Sequence, residues 1–278
     1  MEMNHQQLSI VLIGAGNLAT HLAKALCRSG NIIRQVYSRT EASAVSLAKE
    51  VEATPVTTFR NVTNDADLYI VALKDAVLEE LIPVMVKGKE EALWVHTAGS
   101  IPMSVWEGHG LSRYGVFYPM QTFSKQREVC FSSIPVFVES NRSGDLELLK
   151  TVASSVSKSV YEADSEQRRS LHLAAVFCCN FTNHMYALAA ELLEKYGLPF
   201  DTMKALIDET ATKVHELPPY LAQTGPAVRN DVNVMNKHLQ MLEGDAQIQA
   251  IYRLISDSIH ERSSERKSIE HTKPLNSQ

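Results

Sequence analysis

Cysteine is scarce in this sequence, and its spacing fits neither a disulfide framework nor a zinc site. Four cysteines occur in 278 residues, and Cys178 and Cys179 have no second Cys or His pair at metal-ligand spacing. We therefore expect reduced thiols, no metal and a cytoplasmic protein. Cys178 and Cys179 are predicted to pack on a buried helix, and a redox role for the pair is the less favoured alternative.

Neither an excess of basic charge nor a long apolar segment is present. Lys and Arg number 27 against 32 Asp and Glu, which argues against a broad surface for nucleic acid. No apolar run approaches the roughly 20 residues that span a bilayer. The first residues also lack the basic and apolar blocks of a secretory signal. We expect neither nucleic acid nor membrane as a partner.

The first forty residues contain a glycine-rich turn between a strand and a helix. Residues 8–13 (LSIVLI) are typical of a strand buried on both faces, residues 20–29 of a helix, and residues 32–37 of a second strand. Between them, GAGNLA at residues 14–19 has the G-x-G-x-x-A pattern of dinucleotide-binding turns. A glycine turn without a ligand is the alternative. The residues predicted to contact a diphosphate are Gly14, Ala15, Gly16, Asn17 and Leu18.

The end of the second strand indicates which dinucleotide is bound. An acidic residue usually accepts the ribose 2′-hydroxyl of NAD there, whereas this chain has Ser38, Arg39 and Thr40. Arg39 would attract a 2′-phosphate through charge-assisted hydrogen bonds, and the two hydroxyls can donate to it. The sequence therefore predicts NADP(H), although Arg39 could instead be an exposed residue at a helix start.

Further strands predict that more polar residues meet at the same sheet edge. Strands at residues 66–73 and 92–96 end next to segments that could approach the cofactor or a substrate. Purely structural roles are open for all of these residues. Candidate cofactor contacts are Leu73, Lys74, Ala98 and Gly99; candidate substrate contacts are His96, Ser100, Gln121 and Thr122.

From residue 164 onward, the sequence pattern predicts helices. We expect an α/β Rossmann domain with a mainly parallel sheet at residues 1–162 and an all-α domain at residues 163–278 that ends in a polar tail. A long helix from residue 164 to about 196 is apolar almost all round, which requires burial by other helices or by another subunit. Its His172 and Asn180 are catalytic candidates on one side of the helix. Arg229 could bind an anionic substrate group, with a capping loop as the alternative.

Taken together, these motifs resemble those of a family of NADP oxidoreductases within the pyrroline-5-carboxylate reductase and β-hydroxyacid dehydrogenase superfamily. Members have a Rossmann-like domain followed by an uncharacterised helical domain. The resemblance extends from about residue 8 to 255 and includes His238. The matching segments are residues 14–19 (GAGNLA), 96–100 (HTAGS), 119–123 (PMQTF), 172–180 (HLAAVFCCN) and 224–231 (TGPAVRND).

This resemblance implies a cofactor cleft between the domains and a homodimer through the helical halves. The dehydrogenases carry a catalytic Lys on the long helix four residues before an Asn, but this chain has Val176 there. His172, one turn earlier, is a substitute proton donor. The expected function is hydride transfer between NADP(H) and a small carbonyl or imine substrate. A regulatory nucleotide-binding protein that has lost the chemistry is the alternative.

Overall fold

The computed structural model describes the backbone of residues 7–272 and the side chains of residues 7–266. The chain divides into two compact units, Met1–Phe181 and Thr182–Gln278. The first is an α/β unit and the second is helical. The predicted boundary between residues 162 and 163 differs from this division. That boundary stays a prediction of where the cofactor-binding domain ends and the helical domain begins. The last six residues of the predicted polar tail lie outside the described part.

Eight strands form one sheet in the order β3-β2-β1-β4-β5-β6-β7-β8. Every neighbouring pair is parallel except β6 and β7, which are antiparallel. The predicted α/β Rossmann fold is confirmed. The strands are β1 Ser9–Ile13, β2 Ile32–Tyr37, β3 Thr54–Val56, β4 Leu68–Val71, β5 Leu93–His96, β6 Arg113–Pro119, β7 Val136–Ser140 and β8 Val160–Glu162.

Alternate residues of β1 build a core on each face of this sheet. Ile10 and Leu12 pack in one buried cluster, while Val11 and Ile13 pack in another, because successive side chains of a strand point to opposite faces. Helices cover both faces, as a parallel sheet requires. The helices of the α/β unit are α1 Asn17–Arg28, α2 Glu41–Glu50, α3 Asp75–Met85, α4 Ser143–Val156 and α5 Ser165–Ala175.

The predicted long helix begins where expected but is not a regular α-helix throughout. Asp164 caps α5 by accepting hydrogen bonds from the backbone N–H groups of Glu166 and Gln167, and the Gln167 side chain completes a capping box. A single π-helical turn, Val176–Phe181, then replaces the α-helical ladder. The 3.6-residue spacing used to place His172 and Asn180 on one side of a helix therefore does not hold across this turn.

Helices also make up the second unit. Its last helix and the two cysteines that precede it differ from expectation. The final helix continues to Thr272, whereas the sequence predicted fraying beyond about residue 261. Cys178 and Cys179, just before this unit, are free and exposed in the single chain rather than packed on a buried helix. The helices of this unit are α6 Thr182–Glu194, α7 Lys204–Glu216, α8 Pro219–Ala222, α9 Val232–Met241 and α10 Ala246–Thr272.

Candidate active site

The glycine turn between β1 and α1 has the geometry that a diphosphate requires. Gly14 has φ +123°, and a Cβ there would lie 2.4 Å from the carbonyl oxygen of Ala72. Its N–H donates to the Tyr37 carbonyl oxygen at 2.8 Å. Apart from the adjoining residues, no described atom lies within 4 Å of the position of a Cβ on Gly16, so the space in front of the first turn of α1 is open. The neighbouring Ala15 is buried.

The first turn of α1 is tied to the loop after β6. Asn17 donates through Nδ2 to the Phe123 carbonyl oxygen at 2.9 Å, and His21 Nε2 lies 2.9 Å from the Ser124 carbonyl oxygen. The His21 and Phe123 rings stack with centroids 5.5 Å apart. The loop that carries Gln121 and Thr122 is therefore held beside the glycine turn. Both side chains are exposed, and Gln121 Oε1 accepts the Thr122 N–H at 2.8 Å.

Arg39 is exposed at the end of β2, on the same sheet edge as the glycine turn. It forms no salt bridge among the described side chains. Ser38 is half-buried, and its Oγ lies 3.4 Å from the Thr40 backbone nitrogen, which donates to it. The Thr40 hydroxyl donates to Ser43 at 2.8 Å. A cation and two hydroxyls therefore lie at one strand end, as a site for a 2′-phosphate would need.

Asp75 is of a residue type typical of helix N-caps, which predicts it as the cap of α3, but the start of α3 differs from this prediction. Lys74, rather than Asp75, is the N-cap residue, and it makes no side-chain capping bond. Asp75 is the first helical residue, and its carboxylate instead accepts a hydrogen bond from the Ser100 hydroxyl. Leu73 is half-buried and Lys74 exposed. Ser100 is thereby fixed to the neighbouring strand end.

His96 at the end of β5 is fully buried. Its Nδ1 accepts the Ala98 N–H at 3.2 Å. Burial, with the nearby Arg168 charge as a smaller cause, lowers the pKa of His96 from 6.5 to about 3. A neutral His96 thus positions the backbone of residues 97–99. Its role as a substrate contact stays a prediction, against which this burial argues.

Gly99 lies close to the side chains of Tyr118 and His172. A Cβ there would lie 2.8 Å from His172 Nδ1 and 2.7 Å from Tyr118 Cζ. The Tyr118 hydroxyl is 3.4 Å from His172 Nδ1. The structure therefore brings His172 to the strand end that carries Ala98 and Gly99. Tyr118 was not among the predicted site residues.

A buried ion pair lies behind this cluster, and sequence reasoning missed it as well. Arg168 is fully buried and bonds to the Glu139 carboxylate. It also donates to the Ile101 carbonyl oxygen at 2.6 Å, while Ser165 donates to Glu139 at 3.0 Å. The sequence gives little signal for this pair, because Arg168 stands among polar residues that read as a solvated helix start.

Two predicted site residues, Asn180 and Arg229, have exposed side chains in the single chain. Asn180 is exposed within the π-helical turn. Arg229 is exposed in the helical unit, in the loop before α9. Asp231 caps α9 by accepting the Val234 N–H at 3.2 Å, so the capping loop given as the alternative is present. The catalytic and substrate-binding roles of Asn180 and Arg229 stay predictions.

Two family models match this chain. Residues 9–98 match the model described as NADP oxidoreductase, coenzyme F420-dependent. Residues 134–259 match a domain of unknown function, DUF2520. A comparison with curated proteins finds no match. No helix within the described residues is long and apolar enough to cross a membrane.

Solved structures extend the match over almost the whole chain. A "putative NADP oxidoreductase" from Bacteroides fragilis is 65% identical, with a TM-score of 0.88, and the match covers 92% of this chain and 99% of that one. Two more distant structures share the fold. An imine reductase from Myxococcus stipitatus in complex with NADP+ is 18% identical, with a TM-score of 0.64 and 95% coverage of both chains. A pyrroline-5-carboxylate reductase from Coxiella burnetii is 15% identical, with a TM-score of 0.57 and coverage of 94% and 98%.

Proposed function

This chain belongs to the NADP oxidoreductase family represented by its Bacteroides fragilis relative, and we propose that it transfers hydride between NADP(H) and a small carbonyl or imine substrate. One observation carries the proposal. The parallel strands end with the glycine turn and with Gly99 at one sheet edge. The space at Gly16 is open, and Gly99 lies close to Tyr118 and His172. Ligands of doubly wound sheets bind at that edge.

In this proposal the glycine turn holds the cofactor diphosphate. The backbone of residues 14–18 faces it, and the positive end of the α1 dipole stabilises its charge. Ser38, Arg39 and Thr40 bind the 2′-phosphate. Leu73 and Lys74 border the ribose, and Ala98 and Gly99 border the nicotinamide. NADPH supplies hydride when bound, and the protein supplies orientation and a proton.

Substrate contacts follow from the residues around Gly99. His172 lies there, and Ser100, the residue after Gly99, donates a hydrogen bond to Asp75. Gln121 and Thr122 lie on the loop anchored to α1. Asn180 would orient a carbonyl or imine group and Arg229 would bind an anionic end of the substrate, as the sequence predicts. These are the residues whose substitution should change KM for some substrates more than for others.

Assembly and location complete the proposal. Large apolar side chains such as Leu206 and Leu254 are 62% and 73% exposed in the single chain, which supports a homodimer formed through helices. The helical domain of residues 163–278 would provide both substrate contacts and this interface. The proposed location is the cytoplasm.

Oxidation of NADPH, followed at 340 nm, tests the proposal. The panel should contain keto acids, imines, aldehydes and coenzyme F420, the last because the matching family description names it. We expect turnover with at least one member. We expect Gly99→Val to abolish this turnover, because its side chain would collide with Tyr118 and His172, while Gly144→Val, where a Cβ has nothing within 4 Å, retains it. NADPH binding without turnover across the panel would favour a regulatory nucleotide-binding protein.

A further inference from the structure

Tyr118 occupies the position from which a proton can reach a group above Gly99. The residue is 8% exposed. Its hydroxyl would lie 2.8 Å from a Cβ on Gly99, and its Cζ 2.7 Å from it. The Tyr118 and Phe137 rings pack with centroids 6.3 Å apart. The phenol is therefore held by packing at the strand end proposed to border the nicotinamide.

The surroundings of this phenol suit a group that keeps a proton and can lose it transiently. Burial raises the pKa of Tyr118, and the charge of Asp75 adds to this, while the Arg168 guanidinium lowers it. A protonated phenol is consequently present at neutral pH. Arg168 supplies a fixed positive charge that would stabilise the phenolate left after proton transfer.

His172 is placed to restore the proton. Its Nδ1 lies 3.4 Å from the Tyr118 hydroxyl, and the two rings form a T-shaped pair with centroids 6.5 Å apart. The side chain is half-buried, so it retains contact with solvent. Because Tyr118 and His172 both border Gly99, they form a path from solvent to the reacting group.

From this geometry we propose that Tyr118 is the proton donor of the reduction and that His172 returns the proton from solvent. The inference rests on the proposed function and changes the part of His172 from donor to relay. Reduction of a C=O or neutral C=N bond breaks its π bond and forms a C–H and an O–H or N–H bond. Hydride comes from NADPH, which is oxidised to NADP+. The proton comes from Tyr118 Oη, and the phenolate then takes one from His172 Nδ1, which solvent replaces on the imidazole.

Two kinds of substrate separate a proton donor from a residue that only supports the site. An aldehyde takes up a proton with the hydride, whereas an N-methylated cyclic iminium ion takes up hydride alone. We expect Tyr118→Phe to lower kcat/KM for the aldehyde by about 10²- to 10⁴-fold and for the iminium ion by less than about threefold. Tyr161→Phe is the matched control, because Tyr161 stacks on Phe137, the ring that also packs against Tyr118, and is 52% exposed.

A second measurement needs no turnover. In ¹⁵N NMR spectra of the whole protein, Tyr118→Phe should shift the Nδ1 signal of His172, because its hydroxyl partner is gone, and Tyr161→Phe should leave it unchanged. An unchanged Nδ1 signal in Tyr118→Phe would overturn the relay role of His172. Equal losses on both substrates, or aldehyde reduction within threefold of wild type, would overturn the donor role of Tyr118. None of these results would overturn the proposed function. Wild-type protein that binds NADPH but reduces nothing would overturn the proposed function, and the donor role with it.

Discussion

At the scale of single residues, charge and burial decide what each side chain can do. Arg39 is an exposed cation at a strand end and has freedom to bind an anion. Arg168 is equally cationic, but it is fully buried and paired with Glu139, so it can act only on its neighbours. His96 is buried and neutral, whereas His172 keeps contact with solvent. These differences follow from tertiary packing and cannot be read from residue type.

Replacing Arg39 tests the choice of cofactor. We expect Arg39→Ala to weaken NADPH binding by about 1.5–3 kcal/mol, or roughly 10- to 150-fold, through loss of a charge-assisted contact. NADH binding should change little, because NADH has no 2′-phosphate. Calorimetric titration with both nucleotides measures this, with the exposed Arg142→Ala as control. Equal losses for the two nucleotides would contradict the assignment.

Acid sensitivity tests the burial of His96. Its pKa is about 3 in the folded chain against 6.5 when exposed, so the unfolded chain binds a proton that the folded chain does not. Its contribution to the free energy of unfolding is therefore complete above about pH 6.5 and falls by up to about 1.4 kcal/mol per pH unit below it.

Urea unfolding of His96→Asn, compared with wild type, isolates this effect. The gap in unfolding free energy between the two proteins should shrink by about 2 kcal/mol between pH 7 and pH 5. The exposed His215→Asn serves as the control. A constant gap would mean that His96 becomes charged in the folded protein.

At the scale of elements, the turns between strands and helices position the site. The turn between β1 and α1 requires glycine for two reasons, backbone conformation and close approach to Ala72. The position of Gly30, after α1, requires glycine only because its backbone φ is +92°. A comparison of Ala variants at these two positions therefore separates the cost of a positive φ from the cost of a steric collision.

We expect Gly14→Ala to lower the free energy of unfolding by about 3 kcal/mol or more, since it adds a backbone collision to the strain of a positive φ. Gly30→Ala should cost about 1 kcal/mol, because a Cβ there meets nothing within 4 Å. Thermal and urea unfolding of both variants measures the difference. Similar losses would show that the turn relaxes and is not fixed by Ala72.

Most elements could be predicted because their apolar periodicity is strong. The glycine turn, β1 and β2 agree closely with the expected positions. The edge strand β3 was missed, since three residues that include Pro55 carry no periodic signal. The π-helical turn at Val176–Phe181 could not be read from a segment that is apolar all round. The contact of Tyr118 with His172 and the ion pair of Arg168 with Glu139 join residues distant in sequence, so no local pattern reveals them.

At the scale of the whole molecule, the buried core is concentrated in the α/β unit. Among the described side chains after Arg168, the buried apolar ones are Ala227, Leu242 and Ile248. Many large apolar side chains of the same region are exposed, including Leu173, Tyr196, Leu198, Leu206, Met241 and Leu254. A helical region with so little core of its own needs a further surface to cover it. We attribute that surface to a second copy of the chain.

Sedimentation velocity tests this assembly. Wild-type protein is expected to sediment as a dimer, and Leu206→Glu should shift it toward monomer by placing a charge on the interface. Val84→Asp is the control, because Val84 is 56% exposed on the α/β unit. A monomeric wild type, or equal effects of the two variants, would contradict a dimer formed through the helices.

The transfer of label from cofactor to product tests the central claim most directly. Wild-type protein would be incubated with the substrate panel and NADPH carrying deuterium at C4 of the nicotinamide, using each of the two stereospecifically labelled forms. We expect one form to deliver its deuterium to carbon in the product, detected by mass spectrometry, because a protein site presents one face of the nicotinamide. Bound NADPH that retains its deuterium with every substrate would contradict a reductase.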